Sequence, residues 1–320
     1  MGISKEVALV QMSAYRIQCS SHLATRPLAQ RFREALHRSL RNKNGHNVKF
    51  SVVTISFNQG HYLEEAMRSV LQQRDAGVDL EYIVVDPGST DGSRQILEMY
   101  EDEIDQLILE PDEGPADGLN KGFALATGDV LGFINADDLL EPGSLTAVLG
   151  FFVRNPDAQA VTGVLRIIDG KGNPSTLSRL PFESVKYPPR LTLRAYLDRR
   201  MTILQQSTFF RRSAWEAVSG FNVANTVSWD SELFADMLLA GIEFNRISSI
   251  LASFRIHGES LTGSRSMSDQ VRMNWARVRQ NAVAAGHRPS PPGLVQARQI
   301  AWRIRPGNRF RGWLAGRMSR

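Results

Sequence analysis

The sequence predicts an α/β protein whose central sheet is mostly parallel and is covered by helices on both faces. Short, mainly apolar runs rich in Val and Ile recur from residue 48 onward, as in KFSVVTISF, LEYIVVD and DVLGFIN. A single segment with helical apolar spacing separates each run from the next. Strands that are apolar throughout are typical of parallel sheets buried on both faces by crossover helices.

The first half of the domain alternates strand and helix segments without interruption. Apolar side chains between Leu63 and Leu71 share one face of the first helix. Ser89, Thr90 and Asp91 are candidate caps of the second helix, and Gly128 is a candidate stop for the third. In order, the segments are KFSVVTISF, HYLEEAMRSVLQQ, LEYIVVD, STDGSRQILEMY, DQLILE, GPADGLNKGFALATG and DVLGFIN.

The second half continues with less regular elements. A helix follows Pro142 and ends near Arg154, and AVTGVLRIIDGKGNPS predicts a strand followed by a glycine-rich turn. QQSTFFRR predicts a strand, SAWEAVSG a helical turn, and SWDSELFADMLLAG a helix that ends at Gly241. FNRISSILASFRIH alternates apolar and polar residues, which predicts an edge strand or a hairpin.

Both ends of the chain are basic and differ in composition from the middle. The spacing of apolar residues in the N-terminal stretch predicts a short amphipathic helix. Those residues are Leu28, Phe32, Leu36 and Leu40. The predicted organisation is a basic helical extension over 1–47, one α/β domain over 48–260 and a basic tail over 261–320.

Composition and missing motifs exclude several classes of protein. Cys19 is the one cysteine among 320 residues, so no disulfide framework is expected and a reducing compartment such as the cytoplasm is favoured. No apolar run approaches the roughly 20 residues that cross a bilayer, and the N-terminus lacks the pattern of a signal peptide. The motifs of P-loop enzymes, dinucleotide-binding folds, serine hydrolases and zinc proteases are missing.

Two adjacent acids, Asp137 and Asp138, follow the apolar run DVLGFIN almost directly. Neighbouring carboxylates repel each other, and the next basic residue along the sequence is Arg154. A divalent cation such as Mg²⁺ or Mn²⁺ would supply the missing charge, and these ions bind carboxylates together with substrate phosphates. Helix capping before LLEPGS is the structural alternative for the two acids.

The predicted strands place polar and acidic side chains at one edge of the sheet. The carboxyl ends of neighbouring parallel strands meet there, and open α/β sheets bind their ligands at that edge. The residues concerned are Asn58, Asp86, Glu110 to Glu113, and Asn135 to Asp138. We therefore expect a ligand that carries phosphate and is held with a divalent metal.

The order and spacing of these motifs resemble the family 2 glycosyltransferases, which have the Rossmann-like GT-A fold. The resemblance covers roughly Lys49 to Ser260. It implies a metal-dependent enzyme that moves a sugar, with inversion, from a nucleotide diphosphate donor to a hydroxyl acceptor, a glycan or lipid-linked saccharide of cell-surface polysaccharide assembly. The matching segments are VVTISFNQGHYLEEAMRSVLQQ, EYIVVDPGSTDGSRQIL, EPDEGPADGLNKGFALATGDVLGFINADD, QQSTFFRRSAWEAVSGFN and SWDSELFADMLLAG.

The resemblance also implies which residues contact the donor and the metal. Phe57 stands where the family often has an aromatic ring, although a core position is the alternative, and Asn135 replaces the first acid of an Asp-x-Asp motif. Pro87 departs from the family, which commonly has a second Asp after Asp86. The implied donor-binding residues are Thr54, Phe57, Asn58, Asp86, Asp117, Asn120, Asn135 and Asp137, with Lys121 facing phosphate. The implied metal ligands are Asp137, Asp138 and His257.

Asp230 aligns with the catalytic base of the family. The reaction needs a base because the acceptor hydroxyl has a pKa far above neutral and loses its proton as it attacks. Glu232 is a weaker candidate for this role, and helix capping is the structural alternative for Asp230. The residues implied on the acceptor or diphosphate side are Trp229, Gln206, Gln205 and Arg211.

The tail LVQARQIAWRIRPGNRFRGWLAGRMSR interleaves arginines with apolar residues and contains no acid. This composition suits an anionic membrane surface at the inner face of the membrane, where a lipid-linked acceptor would lie. A disordered tail or a helix packed on the catalytic domain is the alternative, and we expect no nucleic-acid partner because nothing else in the sequence reads bases. A non-catalytic sugar-nucleotide binder or partner subunit of a glycan assembly complex is the alternative function, which the intact acids disfavour.

Overall fold

The computed structural model of the chain describes residues 48–174, 190–258 and 268–297. The predicted N-terminal helix, Cys19 and the arginine-rich tail from Arg298 lie outside these residues. The predicted alternation of strands and helices in the first half is confirmed. Its elements are β1 (Lys49–Ile55), α1 (Gly60–Leu71), β2 (Asp79–Val85), α2 (Ser93–Met99), β3 (Gln106–Ile108), α3 (Pro115–Leu125) and β4 (Val130–Asn135).

The second half contains further strands and helices, most of them near the predicted segments. A short 3₁₀ helix at Gln205–Ser207 precedes the strand predicted from QQSTFFRR. The other elements are β5 (Leu139–Leu140), α4 (Ser144–Arg154), β6 (Ala160–Asp169), β7 (Arg190–Leu191), α5 (Leu193–Leu197), β8 (Thr208–Arg211), α6 (Arg212–Glu216), α7 (Trp229–Leu239), β9 (Phe244–Ile256) and α8 (Ser268–Ala284).

The described strands form one sheet in the order β3-β2-β1-β4-β8-β6-β9-β5, with β7 also paired to β9. The predicted fold class is confirmed, and its parallel part is the block β3-β2-β1-β4. Beyond this block β8 is antiparallel to both β4 and β6, whereas β6 and β9 are parallel. The prediction of an edge strand or hairpin at 244–256 was wrong, because β9 is one strand with partners on both sides.

Two apolar cores cover the two faces of the sheet, which explains why β1 is buried along almost its whole length. Val53 faces a core that contains Phe123 of α3 and Leu233 of α7, whereas Val52 faces a core built from α1 and α4. Successive strand residues point to opposite faces, so a strand between two helical layers buries every side chain. The helices therefore hold the carboxyl edge of the sheet rigidly on both sides.

The local signals for helix ends are only partly confirmed. The N-cap residue of α2 is Gly92 rather than Ser89, Thr90 or Asp91, although Asp91 Oδ1 does accept from the backbone N–H of Ser93 at 3.1 Å. Gly128 does not stop α3, which ends at Leu125. It is instead pressed against β1, where a Cβ would lie 2.5 Å from the backbone nitrogen of Ser51. The glycine is required there by the close approach of two backbone segments.

Helix α8 lies beyond the predicted domain boundary at residue 260 and packs on the same core. Its Val278 and Ala282 are buried with Trp229 and Leu233 of α7. The boundary itself stays a prediction, but the packed region includes this helix. Within the described ranges, no helix is both long and apolar enough to cross a bilayer.

Candidate active site

The ends of β1, β2 and β4 lie level with one another at the carboxyl edge of the sheet. Ile55 pairs with Val85 on one side and with Asn135 on the other. The residues that follow these strands therefore emerge in one row. Asp86 and Asn135 are two strands apart, which corresponds to about 10 Å at the usual strand spacing.

Each of these three strand ends buries a polar atom that has no hydrogen-bond partner among the described residues. The atoms are Ser56 Oγ, Asp86 Oδ2 and Asn135 Oδ1. Buried polar atoms are almost always paired, because an unpaired one carries a desolvation penalty of about 1–3 kcal/mol. Three of them in one row make this edge of the sheet the candidate ligand-binding surface.

Asp86 is fully buried, and its two carboxylate oxygens have different roles. Its Oδ1 accepts from the backbone N–H groups of Gly88 and Ser89 and from Arg94 Nε, at 3.0, 2.8 and 2.8 Å. These donors fix the turn after β2, as a structural cap would. Oδ2 is the atom left without a partner, so the carboxylate is held in place with one acceptor available.

Phe57 and Asn58 form the loop after β1, beside Asp86. The side chain of Phe57 is 59% exposed, which excludes the alternative of a core aromatic. Asn58 has a φ of 52°, which asparagine tolerates better than most residues. It joins this loop to the loop after β2, donating its N–H to Ser89 Oγ at 2.8 Å and accepting from the N–H of Thr90 at 2.9 Å.

Three other residues implied in donor binding are engaged within the protein. Thr54 is fully buried and accepts from the Tyr82 hydroxyl at 2.9 Å. Asn120 on α3 donates to the carbonyl of Phe221 and accepts from its N–H, at 2.9 and 2.8 Å. Asp117 pairs with Lys121 at 3.1 Å. These side chains therefore stabilise the strands, helices and loops next to the carboxyl edge of the sheet.

Asp138 is fully buried, and both of its carboxylate oxygens accept hydrogen bonds. Oδ1 accepts from the backbone N–H of Arg255 at 2.9 Å, and Oδ2 accepts from Gln206 Nε2 at 3.0 Å. Burial, followed by the neighbouring Asp137 carboxylate, raises the pKa of Asp138 well above its ordinary value. The prediction that Asp138 binds a metal stays untested, but these contacts favour Asp137 over it.

Asp137 is partly exposed and lies against His257, whose Nε2 is 3.0 Å from Asp137 Oδ2. Of the described residues, none donates a hydrogen bond to Asp137 Oδ1. The imidazole of His257 also packs on the ring of Tyr62, with the two centroids 4.6 Å apart. The structure therefore brings together two of the predicted metal ligands, a carboxylate and an imidazole.

Arg255 is a residue of this site that the sequence did not reveal. It is 1% exposed, and its Nε donates to the carbonyl oxygen of Asp137 at 2.8 Å. Its Nη2 pairs with Glu65 of α1 at 2.6 Å, and its guanidinium lies over Tyr62. The expectation that no protein cation lies near the two acids was wrong, because β9 brings in a cation 117 residues distant in sequence from Asp138.

Asp230 is the second residue of α7, next to Trp229. Burial raises the pKa of its carboxyl above the ordinary value, although hydrogen bonds from Ser231 act in the opposite direction. The indole Nε1 of Trp229 is buried without a partner among the described residues. A carboxylate with a raised pKa is a better proton acceptor, which suits a general base. No hydrogen bond within the described ranges joins Asp230 to Asp86 or Asp137.

Glu232, the weaker candidate base, is 3% exposed and fully engaged. Arg277 donates to both of its oxygens at 2.8 and 2.5 Å. Although burial acts to raise it, hydrogen bonds from Arg277, Asn222 and Asn225 lower the pKa of Glu232. Its contacts make it a structural carboxylate, since no oxygen is left to take a proton from a substrate.

Gln205 and Arg211 are also held by backbone carbonyls. Gln205 Nε2 donates to the carbonyl of Phe133 at 2.7 Å, which fixes the segment that carries Gln206. Arg211 pairs with Val130 at the amino end of β4, opposite the edge that carries Asp137. Its guanidinium donates to the carbonyls of Pro156 and Ala158. Arg211 is therefore remote from the diphosphate position expected for it.

The donor atoms at this edge fit a divalent metal only in part. Asp137 and His257 supply an oxygen and a nitrogen, which Mn²⁺ accepts. Among the described residues no group of three His, Cys, Asp or Glu side chains is arranged to hold a metal. This donor set matches ions that take one or two protein ligands and complete their coordination with substrate phosphates and water.

The sequence profile of Glycosyl transferase family 2 matches residues 51–218. Among curated relatives, the uncharacterized glycosyltransferase alr2836 of Nostoc sp. is 37% identical over 126 residues, 38% of each chain. The teichuronic acid biosynthesis glycosyltransferase TuaG of Bacillus subtilis is 38% identical over 117 residues, 35% of this chain and 45% of that relative. The chain spans between 38% and 66% of the length of the first curated relatives it matches.

A solved structure shares the fold over most of both chains. It is the mannosyltransferase PcManGT of Pyrobaculum calidifontis, in complex with GDP-Man and Mn²⁺. The TM-score is 0.54 at 17% sequence identity, and the match covers 88% of this chain and 90% of that one. At this level of identity the likeness establishes the architecture.

Proposed function

Because the chain belongs to glycosyl transferase family 2 and is therefore a glycosyltransferase, we propose that it transfers a sugar, with inversion, from a nucleotide diphosphate donor to a hydroxyl acceptor in a metal-dependent reaction. The observation that carries this proposal is the row of unpartnered buried atoms at Ser56, Asp86 and Asn135. All three can accept a hydrogen bond, and a nucleoside offers N–H and O–H donors.

The nucleoside end of the donor fits between the loops after β1 and β2. The exposed ring of Phe57 offers an apolar face for a base, and Asp86 Oδ2 offers a fixed acceptor beside it. Asn135, closer to Asp137 in the sequence, is placed to meet ribose hydroxyls. This order directs the diphosphate toward Asp137 and His257.

Asp137 and His257 are the residues that would hold the metal. A bound divalent ion supplies positive charge beside the departing diphosphate. Since the described residues offer two ligands there, we expect the nucleotide diphosphate to complete the site. Arg255 donates to the backbone carbonyl of Asp137 and so holds this residue in place beside the carboxyl edge of the sheet.

Asp230 is the proposed general base. As the acceptor oxygen bonds to the anomeric carbon, the bond from that carbon to the diphosphate oxygen breaks on the opposite face. The acceptor proton passes to the Asp230 carboxylate in the same step, and the configuration at the anomeric carbon inverts. General-base catalysis of this kind contributes about 3–5 kcal/mol.

The acceptor class is supported by the likeness to a glycosyltransferase named for teichuronic acid biosynthesis. We propose a glycan or a lipid-linked saccharide of cell-surface polysaccharide assembly, presented at the cytoplasmic face of the membrane. A donor of this type is made in the cytoplasm, which agrees with a chain that has a single cysteine.

The test is a thermal-shift and turnover panel of UDP-, GDP- and TDP-sugars with and without Mn²⁺. A donor at 100 times its Kd adds about 2.7 kcal/mol of stability, which is readily measured.

Asp137→Asn should weaken donor binding in Mn²⁺ and abolish transfer, whereas Asp230→Asn should abolish transfer and leave donor binding intact. Asp102→Asn, at an exposed residue, is the control. Wild-type turnover in Asp230→Asn would remove that residue from the mechanism, and release of pyrophosphate from a nucleoside triphosphate would indicate nucleotidyl transfer instead.

A further inference from the structure

A buried polar network joins α8 to the loop that precedes α7. Its centre is Glu232, whose two oxygens receive four hydrogen bonds. Arg277 donates through Nε and Nη2 at 2.8 and 2.5 Å. Asn222 and Asn225 donate their side-chain amides at 3.0 and 2.6 Å. The carboxylate therefore connects three separate segments of the chain.

The same network fixes the backbone at the start of α7. Asn225 Oδ1 accepts from the N–H groups of Val227 and Ser228 at 3.2 and 3.0 Å. Asn274 of α8 donates to Asn225 Oδ1 at 2.6 Å and to Ser228 Oγ at 3.2 Å. The side chain of Ser228 makes no capping hydrogen bond, and the start of α7 is held from outside the helix by Asn225 and by Asn274 of α8.

This first turn carries Asp230, and Glu232 lies two residues after it. Loop 222–228 and α8 thus hold the backbone from which the Asp230 side chain projects. A displacement of about 1 Å in a reacting group can slow a reaction by about a hundredfold. A buried ion pair is weak evidence for stability, since apolar residues of the same volume often stabilise more, but it does hold groups in one orientation.

We propose that α8 is a working part of the catalytic unit and that Arg277 is a positioning residue, which sets the direction of Asp230 through Glu232. The proposal rests on Asp230 being the base, as proposed above. Helix α8 lies outside residues 51–218, the part that the family profile matches. The side chain of Arg277 is 36% exposed, so a substitution there leaves the apolar core in place.

The experiment compares Arg277→Met and Arg277→Lys with Arg272→Met. Arg272 lies in the same helix and pairs with Asp269 of that helix, so its loss removes one positive charge without touching α7. We expect kcat to fall by about tenfold to a hundredfold in Arg277→Met and less in Arg277→Lys. The donor Kd, measured by calorimetry in Mn²⁺, should stay within about twofold in all three variants.

The double variant Arg277→Met with Glu232→Gln separates positioning from stability. It removes the unpaired buried charge that Arg277→Met leaves behind, so the melting temperature should recover. The kcat should stay low, because the paired hydrogen bonds from Arg277 to the two oxygens of Glu232 are still missing. A kcat that recovers together with the melting temperature, or an Arg277→Met variant as active as Arg272→Met, would overturn the proposal. If Asp230→Asn turns over normally, the assignment of the base fails first, and this result distinguishes the two.

Discussion

The parallel half of the sheet buries an acid at each of its two edges, and the two acids differ in how far their oxygens are hydrogen-bonded. At the amino edge Glu81 is buried and accepts from Ser51 Oγ, Lys49 Nζ and both the N–H and the hydroxyl of Thr127, at 2.5 to 3.0 Å. At the carboxyl edge Asp86 is buried and keeps one oxygen without a partner. The acid at the first edge is fully hydrogen-bonded within the protein, whereas the acid at the second keeps a free acceptor, which we propose that a ligand fills.

Burial of an acid does not by itself mark a functional site. The surroundings of Glu81 hold its negative charge with one cation and three neutral donors, and they close the sheet edge by binding the segment 126–129. Arg212 completes this closure by donating to the carbonyls of Ala126 and Gly128, both at 2.6 Å. What distinguishes the carboxyl edge is the repetition of unsatisfied acceptors along three strands.

The largest effect is expected at the self-contained edge. Although burial acts to raise it, hydrogen bonds from Ser51, Thr127 and Lys49 lower the pKa of Glu81 from 4.5 to about 2. The ionised carboxylate therefore stabilises the fold above pH 4.5, and this contribution is lost as the pH falls toward 2. Glu81→Gln should reduce the free energy of unfolding by about 3 kcal/mol at pH 7.

Urea unfolding of the wild type and of Glu81→Gln from pH 7 to pH 3 measures this difference, which should shrink toward the acid end. Donor affinity should be unchanged, because the residue lies at the opposite edge from Asp137. A loss of donor affinity with unchanged stability would reverse the assignment of the two edges.

The second effect is expected at Asp86. Asp86→Asn keeps an acceptor oxygen for the turn but places an amide N–H₂ or a neutral oxygen where the free acceptor stood. A hydrogen bond to a charged group is worth about 1.5–3 kcal/mol, so the donor Kd should rise by about tenfold to a hundredfold. Calorimetry with the donor measures this change, and the melting temperature of the free protein should move by only a few degrees. A large fall in the melting temperature with an unchanged donor Kd would make Asp86 structural, like Glu81.

How much of the two edges the sequence predicts depends on how far apart in the chain the residues involved lie. Asp86 and Asn135 were placed at one edge correctly, because each directly follows an apolar run whose direction is fixed by the alternation with helices. The sequence does not decide whether Phe57 lies in the core or at the exposed rim, because exposure depends on packing that the sequence does not specify. The chemistry of Asp-x-Asp and the base at 230 came from resemblance.

The contacts that fix the site come from residues far apart in the chain, and no local pattern signals them. Arg255 reaches Asp138 across 117 positions, and Arg277 reaches Glu232 across 45. Donor contact by Asn120 stays a prediction, and the fold adds a role that the sequence does not show, because the amide of Asn120 pairs with both the carbonyl and the N–H of Phe221. Signals of this kind appear only when the fold brings the segments together.

A third effect concerns the pH dependence of turnover. Burial raises the pKa of Asp230, whereas the network around Glu81 lowers the pKa of that acid. A base must be ionised, so kcat should be constant above the pKa of Asp230 and fall about tenfold for each pH unit below it. The fall should therefore begin at a higher pH than the ordinary value of 3.8 for aspartate. Profiles of kcat from pH 4.5 to 8, at saturating donor and Mn²⁺, measure this. A flat profile down to pH 4.5 would contradict the raised pKa.

The smallest effect, and the one most closely matched, is expected for two serines of the same strand segment. Ser51 donates to Glu81 and accepts from the N–H of Gly128 at 2.7 Å, whereas the hydroxyl of Ser56 is buried without a partner among the described residues. Ser51→Ala leaves the N–H of Gly128 unpaired and removes one of the donors to Glu81, so it should lower the free energy of unfolding by about 1–3 kcal/mol without changing donor affinity. Ser56→Ala removes an unsatisfied group, so the free protein should be as stable as the wild type, while donor affinity falls by about twofold to tenfold. Urea unfolding and calorimetry on both variants measure these effects. The same chemical change should lower the free energy of unfolding at residue 51 and the donor affinity at residue 56. If Ser56→Ala weakened the fold and left the donor affinity unchanged, the carboxyl edge would be as self-contained as the amino edge, and its unpartnered atoms would carry no information about a ligand.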